Sequence, residues 1–223
     1  MNDTIRFILS LSILPAAVIG AVKFRKMDPS YRLFIYYIFF VLGFEVFVYS
    51  LMRLAEQQAA FSTLGVSYNI YAIAEFSFLT WVFHKWGLFN NNQKVFLSII
   101  VVFLLSWFLS TLLIKGFYKR NHYFAIAYSF ALIFFSISAF NKLVVQERKS
   151  MLRNPKFWIC LGIVIFFSYF AISSSVKILI FRNDDNKEFF DKLQDINVYA
   201  NLLANLLYAA AILWIPNKKN FIT

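Results

Sequence analysis

Two carboxylates lie inside long apolar runs of this chain, where a charge is hard to accommodate. Glu45 falls within the run 33–52 and Glu75 within the run 66–84, and none of the other acids among the eleven falls inside such a run. An acid in apolar surroundings is stable only if it faces a polar cavity or a partner, so each marks a candidate site. A close pair of carboxylates would suit proton transfer or the binding of a cation.

A stripe of polar residues follows the last apolar run, 197–216. Its members are three or four residues apart, so they share one face of a helix. They are Asn197, Asn201, Asn205 and Tyr208. Such groups bond across helices as readily as they bind a ligand, and both interpretations fit the stripe. We predict a pocket with Lys177 near its mouth and these lining residues: Glu45, Glu75, Asn201, Asn205 and Tyr208.

The composition predicts an all-α polytopic membrane protein. The 223 residues are 61% hydrophobic and 21% aromatic, with a mean hydropathy of +0.65. A helix needs about 20 apolar residues to cross a bilayer, whereas the strands of a membrane barrel would alternate in polarity. We predict one domain, 1–223, with seven transmembrane helices at 5–22, 33–52, 66–84, 95–114, 123–141, 157–180 and 197–216.

The basic residues lie between the predicted spans and indicate the topology. The net charge is +11, but no soluble surface is predicted that could carry a basic patch for nucleic acid. We predict a protein of the inner membrane with its N-terminus outside and its C-terminus in the cytoplasm. In this orientation thirteen of the twenty-two basic residues lie on the cytoplasmic side. A cleaved signal peptide over 1–21 is the alternative, although its basic cluster follows the apolar stretch instead of preceding it.

Two stretches of the chain resemble each other. Aligning YNIYAIAEFSFLTWVFHKW with INVYANLLANLLYAAAILW pairs Asn69 with Asn197 without a gap. The preceding spans both begin with an acid or amide followed by proline, so Asp28 and Asn154 are predicted helix caps. This suggests a 3+1+3 plan, and chance similarity between apolar segments is the alternative. The parallel repeats would be 1–90 and 122–223, with 95–114 as linker helix.

Basic residues recur between the fifth and sixth spans, in NKLVVQERKSMLRNPK (141–156). Because they alternate with apolar residues, we expect them to contact anionic lipid headgroups. Docking of a cytoplasmic protein is the alternative. The residues are Lys142, Arg148, Lys149, Arg153 and Lys156.

Several chemistries are excluded by residue type and position. His84 and His122 fall at opposite ends of the predicted bundle, so they cannot share a zinc site. Cys160 has no cysteine partner and is expected to pack in the interior. The loop 182–195 alternates in charge and predicts a solvated amphipathic turn, since its acids do not fit a calcium loop. No cofactor is expected.

Three motifs carry a resemblance to known families. QERKSMLRNPKFWICLG, YNIYAIAEF and LWIPNKK resemble a group of small bacterial seven-helix membrane proteins without an assigned activity. The 3+1+3 plan is also similar to that of SWEET-type sugar transporters, and this likeness implies sugar contacts for Asn69 and Asn197. The Pro-Gln motif of that family is missing here, so the likeness is one of architecture.

Taken together, these features favour transport of a small polar or cationic ligand, or of protons. Glu45 and Glu75 would be the proton or cation sites, and the stripe would supply hydrogen bonds. The alternative is a receptor or scaffold that senses the ligand and signals to a cytoplasmic partner through 141–156. An intramembrane enzyme acting on lipid is a third interpretation, for which no nucleophile or metal signature is present.

Overall fold

The computed structural model describes residues 3–54, 57–113, 118–146, 151–180 and 187–216. Most of these residues are helical, and none of them belongs to a β-strand. The turn Leu11–Ile13 joins the first two helices as one broken helix, and the turn Met151–Arg153 precedes the seventh helix. The helices are α1 (Asp3–Ser10), α2 (Leu14–Lys23), α3 (Pro29–Leu54), α4 (Gln57–Lys85), α5 (Gln93–Leu113), α6 (His122–Gln146), α7 (Pro155–Ile180) and α8 (Lys187–Trp214).

Five helices within the described ranges, α3, α5, α6, α7 and α8, are long and apolar enough to cross a membrane. The prediction of a multi-pass helical membrane protein is thereby confirmed at this level. The α4 helix has 29 residues but is not among the five, because it carries polar groups such as Asn69, Glu75 and Thr80. Seven spans, their orientation and the internal repeat stay predictions.

Local sequence signals determine where α3 and α7 begin. The Ser30 backbone N–H donates to Asp28 Oδ1 over 2.8 Å, and the Lys156 N–H donates to Asn154 Oδ1 over 3.0 Å. Both predicted caps are therefore confirmed. The bond from Ser30 favours the ionised Asp28 carboxylate and lowers its pKa below the ordinary value.

The start of α8 differs from the prediction. A helix was expected from residue 197, after an amphipathic turn, but α8 already begins at Lys187. Residues 181–186 lie outside the described part of the chain. The prediction of a turn over 187–195 was wrong, because the alternating charges of this stretch also suit the solvated end of a helix.

Six helices pack side by side in a closed ring. In order they are α2, α3, α4, α6, α7 and α8, and α2 then packs against α8. The α5 helix lies outside this ring and packs against α4 and α6. Only 6% of its most apolar stretch is buried. The ring therefore contains the predicted spans other than the linker, and it surrounds the polar interior described below.

The ring closes through contacts between its first and last helices. Lys23 Nζ at the end of α2 donates to the carbonyl oxygens of Ile212, Leu213 and Ile215, over 3.1, 2.8 and 2.9 Å. The last carbonyl oxygens of a helix lack the usual amide donor one turn further on, so the lysine caps the end of α8. The capping bonds attach the end of α2 to the end of α8.

The α7 and α8 helices approach closely at Gly162. A Cβ atom at this position would lie 2.6 Å from Tyr208 Cε1. Glycine therefore leaves the space in which the buried Tyr208 ring packs, and Phe34 contacts the same ring edge-on at a centroid distance of 5.3 Å. Cys160, two residues before Gly162 on α7, is buried in the same core, as predicted.

Candidate functional site

Glu75 is held inside the ring by three tyrosines. Its side chain is 3% exposed. Oε1 accepts hydrogen bonds from the hydroxyls of Tyr71 (2.8 Å) and Tyr37 (3.1 Å), and Oε2 accepts one from Tyr128 (3.1 Å). A buried carboxylate is tolerated only where its oxygens are bonded, and these donors meet that need. Glu75 therefore links α3, α4 and α6 at one point, and we call this group the Glu75 cluster.

The Glu75 cluster forms part of the wall of a cavity of ≈ 740 Å³. Pockets for small ligands commonly measure about 300 to 1,000 Å³, so this volume is adequate for one. The structure brings all six of the predicted binding residues to its lining: Glu45, Glu75, Asn201, Asn205, Tyr208 and Lys177. Their shared position is a structural fact, and their role in binding stays a prediction.

Glu45 lies on α3, which packs against α4, and its side chain lines the cavity. Its carboxylate is close enough to Tyr68 and Tyr71 to interact with both electrostatically. Tyr71 also bonds Glu75, so one tyrosine interacts with both acids. The hairpin geometry predicted from the sequence, with both acids facing one interior, agrees with this arrangement.

The asparagines of α8 take different positions along one face. Asn205 Nδ2 donates to Ser12 Oγ in the turn between α1 and α2, over 2.9 Å, and lies 3.5 Å from Asn201 Oδ1. Asn197 Oδ1 is buried and has no hydrogen-bond partner within the described residues. Asn205 therefore joins helices and also lines the cavity, so both interpretations of the stripe have support.

Arg120 is a cavity residue that the sequence did not indicate. It lies between α5 and α6, and its Cζ is 4.6 Å from the ring centroid of Tyr68 and 5.0 Å from that of Phe170. Cation–π contacts of this kind hold a guanidinium in place without using its N–H donors. Only its position just before a capping asparagine, Asn121, could have suggested that it is fixed near a helix end.

Asn69 fixes the segment that carries Arg120. Its Nδ2 donates to the Lys119 carbonyl oxygen, and its Oδ1 accepts from the Asn121 backbone N–H, both over 2.9 Å. The Asn121 side chain in turn accepts from the Phe124 N–H over 2.9 Å and caps α6. Asn69 is not among the residues lining the cavity. Both chain neighbours of Arg120 are thus anchored.

The same segment requires a glycine on α4. A Cβ atom at Gly65 would overlap the Tyr118 carbonyl oxygen, which belongs to the backbone and cannot rotate away. We expect Gly65→Ala to destabilise the protein by roughly 1 to 3 kcal/mol, the usual cost of overpacking. Unfolding in mixed detergent measures this loss. Gly43→Ala is the matched control, since nothing lies within 4 Å of that position, and an equal effect of the two changes would contradict the account.

The predicted basic segment has contacts of its own. Lys142 Nζ donates to the Gly87 carbonyl oxygen over 2.6 Å, and Lys156 Nζ lies 5.8 Å from the Trp86 ring centroid. Arg153 is exposed, whereas Arg148 and Lys149 lie outside the described residues. Two of the predicted contact residues therefore hold the loop that follows α4, and contact of this segment with lipid or a partner stays a prediction.

The histidines do not form a metal site within the described residues. His84 stacks on Phe96 with a centroid distance of 4.7 Å, and His122 is the first residue of α6. In the part of the chain that the structure describes, no group of three or more His, Cys, Asp or Glu side chains could hold a metal ion.

The described residues form a helical bundle with a polar interior, and five of its helices are long and apolar enough to cross a membrane. No protein-family model, no curated protein and no solved structure matches the chain.

Proposed function

We propose that this protein is a seven-span protein of the inner membrane that transports a small polar or cationic ligand, or protons, through its interior cavity. One observation carries the proposal. Glu75 is buried, its two oxygens accept three tyrosine hydrogen bonds, and it faces a cavity of ≈ 740 Å³. A charge-bearing group held in place at the wall of such a cavity is suited to bind a passing cation or proton.

The order of the helices supports transport over a purely structural role. The ring consists of two arcs of three, α2 to α4 and α6 to α8, and α5 lies outside it. This arrangement is compatible with the 3+1+3 plan, in which a substrate site lies between the repeats. The acids come from the first arc and the polar stripe from the second. With the N-terminus outside, the start of α6 faces outward.

Flux into proteoliposomes tests the proposal. We expect uptake of a proton, a metal cation or a member of a panel of amines, amino acids and sugars. Glu45→Gln and Glu75→Gln should each reduce it at least about tenfold, because hydrogen bonds to charged groups contribute roughly 1.5 to 3 kcal/mol. Asp195→Asn is the control, since this acid of α8 does not line the cavity. It should change the flux less than about twofold, because it alters no group at the cavity wall.

The receptor interpretation is the alternative outcome of this experiment. Arg153 is exposed at the end of the molecule where a cytoplasmic partner would dock. Ligand binding without any flux, lost on neutralising Glu75 and accompanied by partner binding that Arg153→Gln weakens, would replace transport with sensing.

A further inference from the structure

A second, smaller pocket adjoins the cavity near the start of α6. Its volume is ≈ 160 Å³, and Arg120 and Lys177 line both spaces. The polar residues that line the smaller pocket are Arg120, His122, Ser173, Ser174, Lys177 and Asn197. The two spaces are therefore neighbours that share part of their wall.

The smaller pocket is basic, in contrast to the wall that carries Glu75. Arg120 and Lys177 supply its positive charge, and no carboxylate is among the lining residues that the structure describes. Like charges that meet in a low-dielectric interior repel each other, and an anionic guest offsets that repulsion. Because Arg120 is held by ring contacts, its N–H donors suit the planar oxygen pair of a carboxylate.

Two residues that line the same pocket each have a buried polar atom without a hydrogen-bond partner in the described chain. His122 Nδ1 and Asn197 Oδ1 are both buried and have no hydrogen bond within the described residues. Leaving such an atom unsatisfied costs roughly 1 to 3 kcal/mol, so a polar guest that bonds them is favoured. The imidazole can donate and the amide oxygen accepts, which fits a guest with both an acceptor and a donor.

We propose that the smaller pocket is an anion subsite and that the ligand of the joined spaces is a small zwitterion. Its anionic group binds beside Arg120 and Lys177, and its ammonium group points towards Glu45 and Glu75. This inference rests on the proposed function and narrows its ligand class. Free amino acids carry this pair of charges, and so does the headgroup of phosphatidylethanolamine.

Thermal unfolding of the purified full-length protein in detergent tests the inference. Each free amino acid is added in turn, and phosphatidylethanolamine is added to the micelles in a separate arm. We expect one of these zwitterions to raise the unfolding temperature. If an amino acid stabilises the protein, two of its derivatives are tested next. The amide derivative retains only the ammonium group, and the N-acetyl derivative retains only the carboxylate. Each should bind at least about tenfold more weakly, the ratio that corresponds to roughly 1.4 kcal/mol.

Charge-neutralising variants locate the two ends of the ligand. Arg120→Gln and Lys177→Gln should weaken binding of the zwitterion at least about tenfold, as expected for a lost charged hydrogen bond, and leave the amide unaffected. Glu75→Gln should weaken binding of the zwitterion and leave binding of the N-acetyl derivative unchanged. Lys119→Gln is the control, since Lys119 is exposed and adjacent to Arg120. Arg120→Lys preserves the charge and provides a second test if Arg120→Gln does not fold.

The outcomes separate this inference from the proposed function. An amide that binds as tightly as its amino acid would overturn the anion subsite. If no amino acid and no phosphatidylethanolamine stabilises the protein, the assignment of a zwitterionic ligand is wrong. Flux that depends on Glu75 would still support the proposed transport in that case. Binding of the zwitterion without any flux would support the subsite and contradict transport.

Discussion

Removing the carboxylate of Glu75 should destabilise the protein by roughly 2 to 4 kcal/mol. Glu75→Ala leaves the hydroxyls of Tyr37, Tyr71 and Tyr128 without their acceptor in the interior, and unsatisfied buried donors are costly. Glu75→Gln has nearly the same volume and keeps an oxygen acceptor, so it should retain most of the stability. Unfolding of purified protein in mixed detergent micelles gives both values.

A double-mutant cycle isolates the hydrogen bonds of the Glu75 cluster. Tyr37→Phe combined with Glu75→Ala should show a coupling of about 0.5 kcal/mol or more, the range seen for residues in one network. Tyr36→Phe is the matched control: Tyr36 is 52% exposed, whereas its neighbour Tyr37 is 3% exposed and bonds the acid. A coupling for Tyr36 as large as for Tyr37 would show that the Glu75 cluster does not exist.

Asn69→Ala should destabilise the protein by roughly 2 to 6 kcal/mol. The Lys119 carbonyl and the Asn121 N–H would both lose their partner, at about 1 to 3 kcal/mol each. Because this change also releases the segment that holds Arg120, we expect ligand binding to weaken in parallel. Chemical unfolding of the two proteins side by side measures the loss.

Asn197→Ala is the informative comparison for Asn69→Ala. These asparagines align in the proposed repeat, but Asn69 is 2% exposed and bonds two backbone groups, whereas Asn197 Oδ1 has no partner in the described chain. Removing Asn197 should therefore cause no loss of stability, because its Oδ1 has no hydrogen bond to lose within the described residues and is itself unfavourable when buried without a partner. Equal losses would mean that the two positions do the same structural work, contrary to the contacts seen.

The sequence was sufficient for features that depend on local physics. The apolar runs predicted the helices, and proline after Asp28 or Asn154 predicted their starts, because a cap bonds its own first turn. The spacing of Asn201, Asn205 and Tyr208 predicted a shared face for the same reason. An acid in an apolar run needs a polar environment, so Glu75 could be identified as an interior residue.

Features that depend on which helices become neighbours were not predictable. Tyr128 is one of many aromatic residues on α6, and nothing in its spacing shows that the ring order places it against α4. Arg120 lies in a short connection, and its position results from the bonds of Asn69, a residue 51 positions away in the sequence. Long-range packing determines which residues of different helices come into contact, and the periodicity within one helix carries no information on that packing.

Cysteine accessibility tests most directly whether the polar face of α8 lines a cavity that binds ligand. In a Cys160→Ser background, Asn201→Cys and Leu203→Cys place thiols on opposite faces of one helix, the first on the cavity and the second on an exposed apolar surface. We predict that a small charged thiol reagent modifies residue 201 and not residue 203 in membranes, and that a transported ligand slows the reaction. The opposite result would contradict the account: the reagent modifies residue 203, whereas residue 201 does not react and the ligand has no effect.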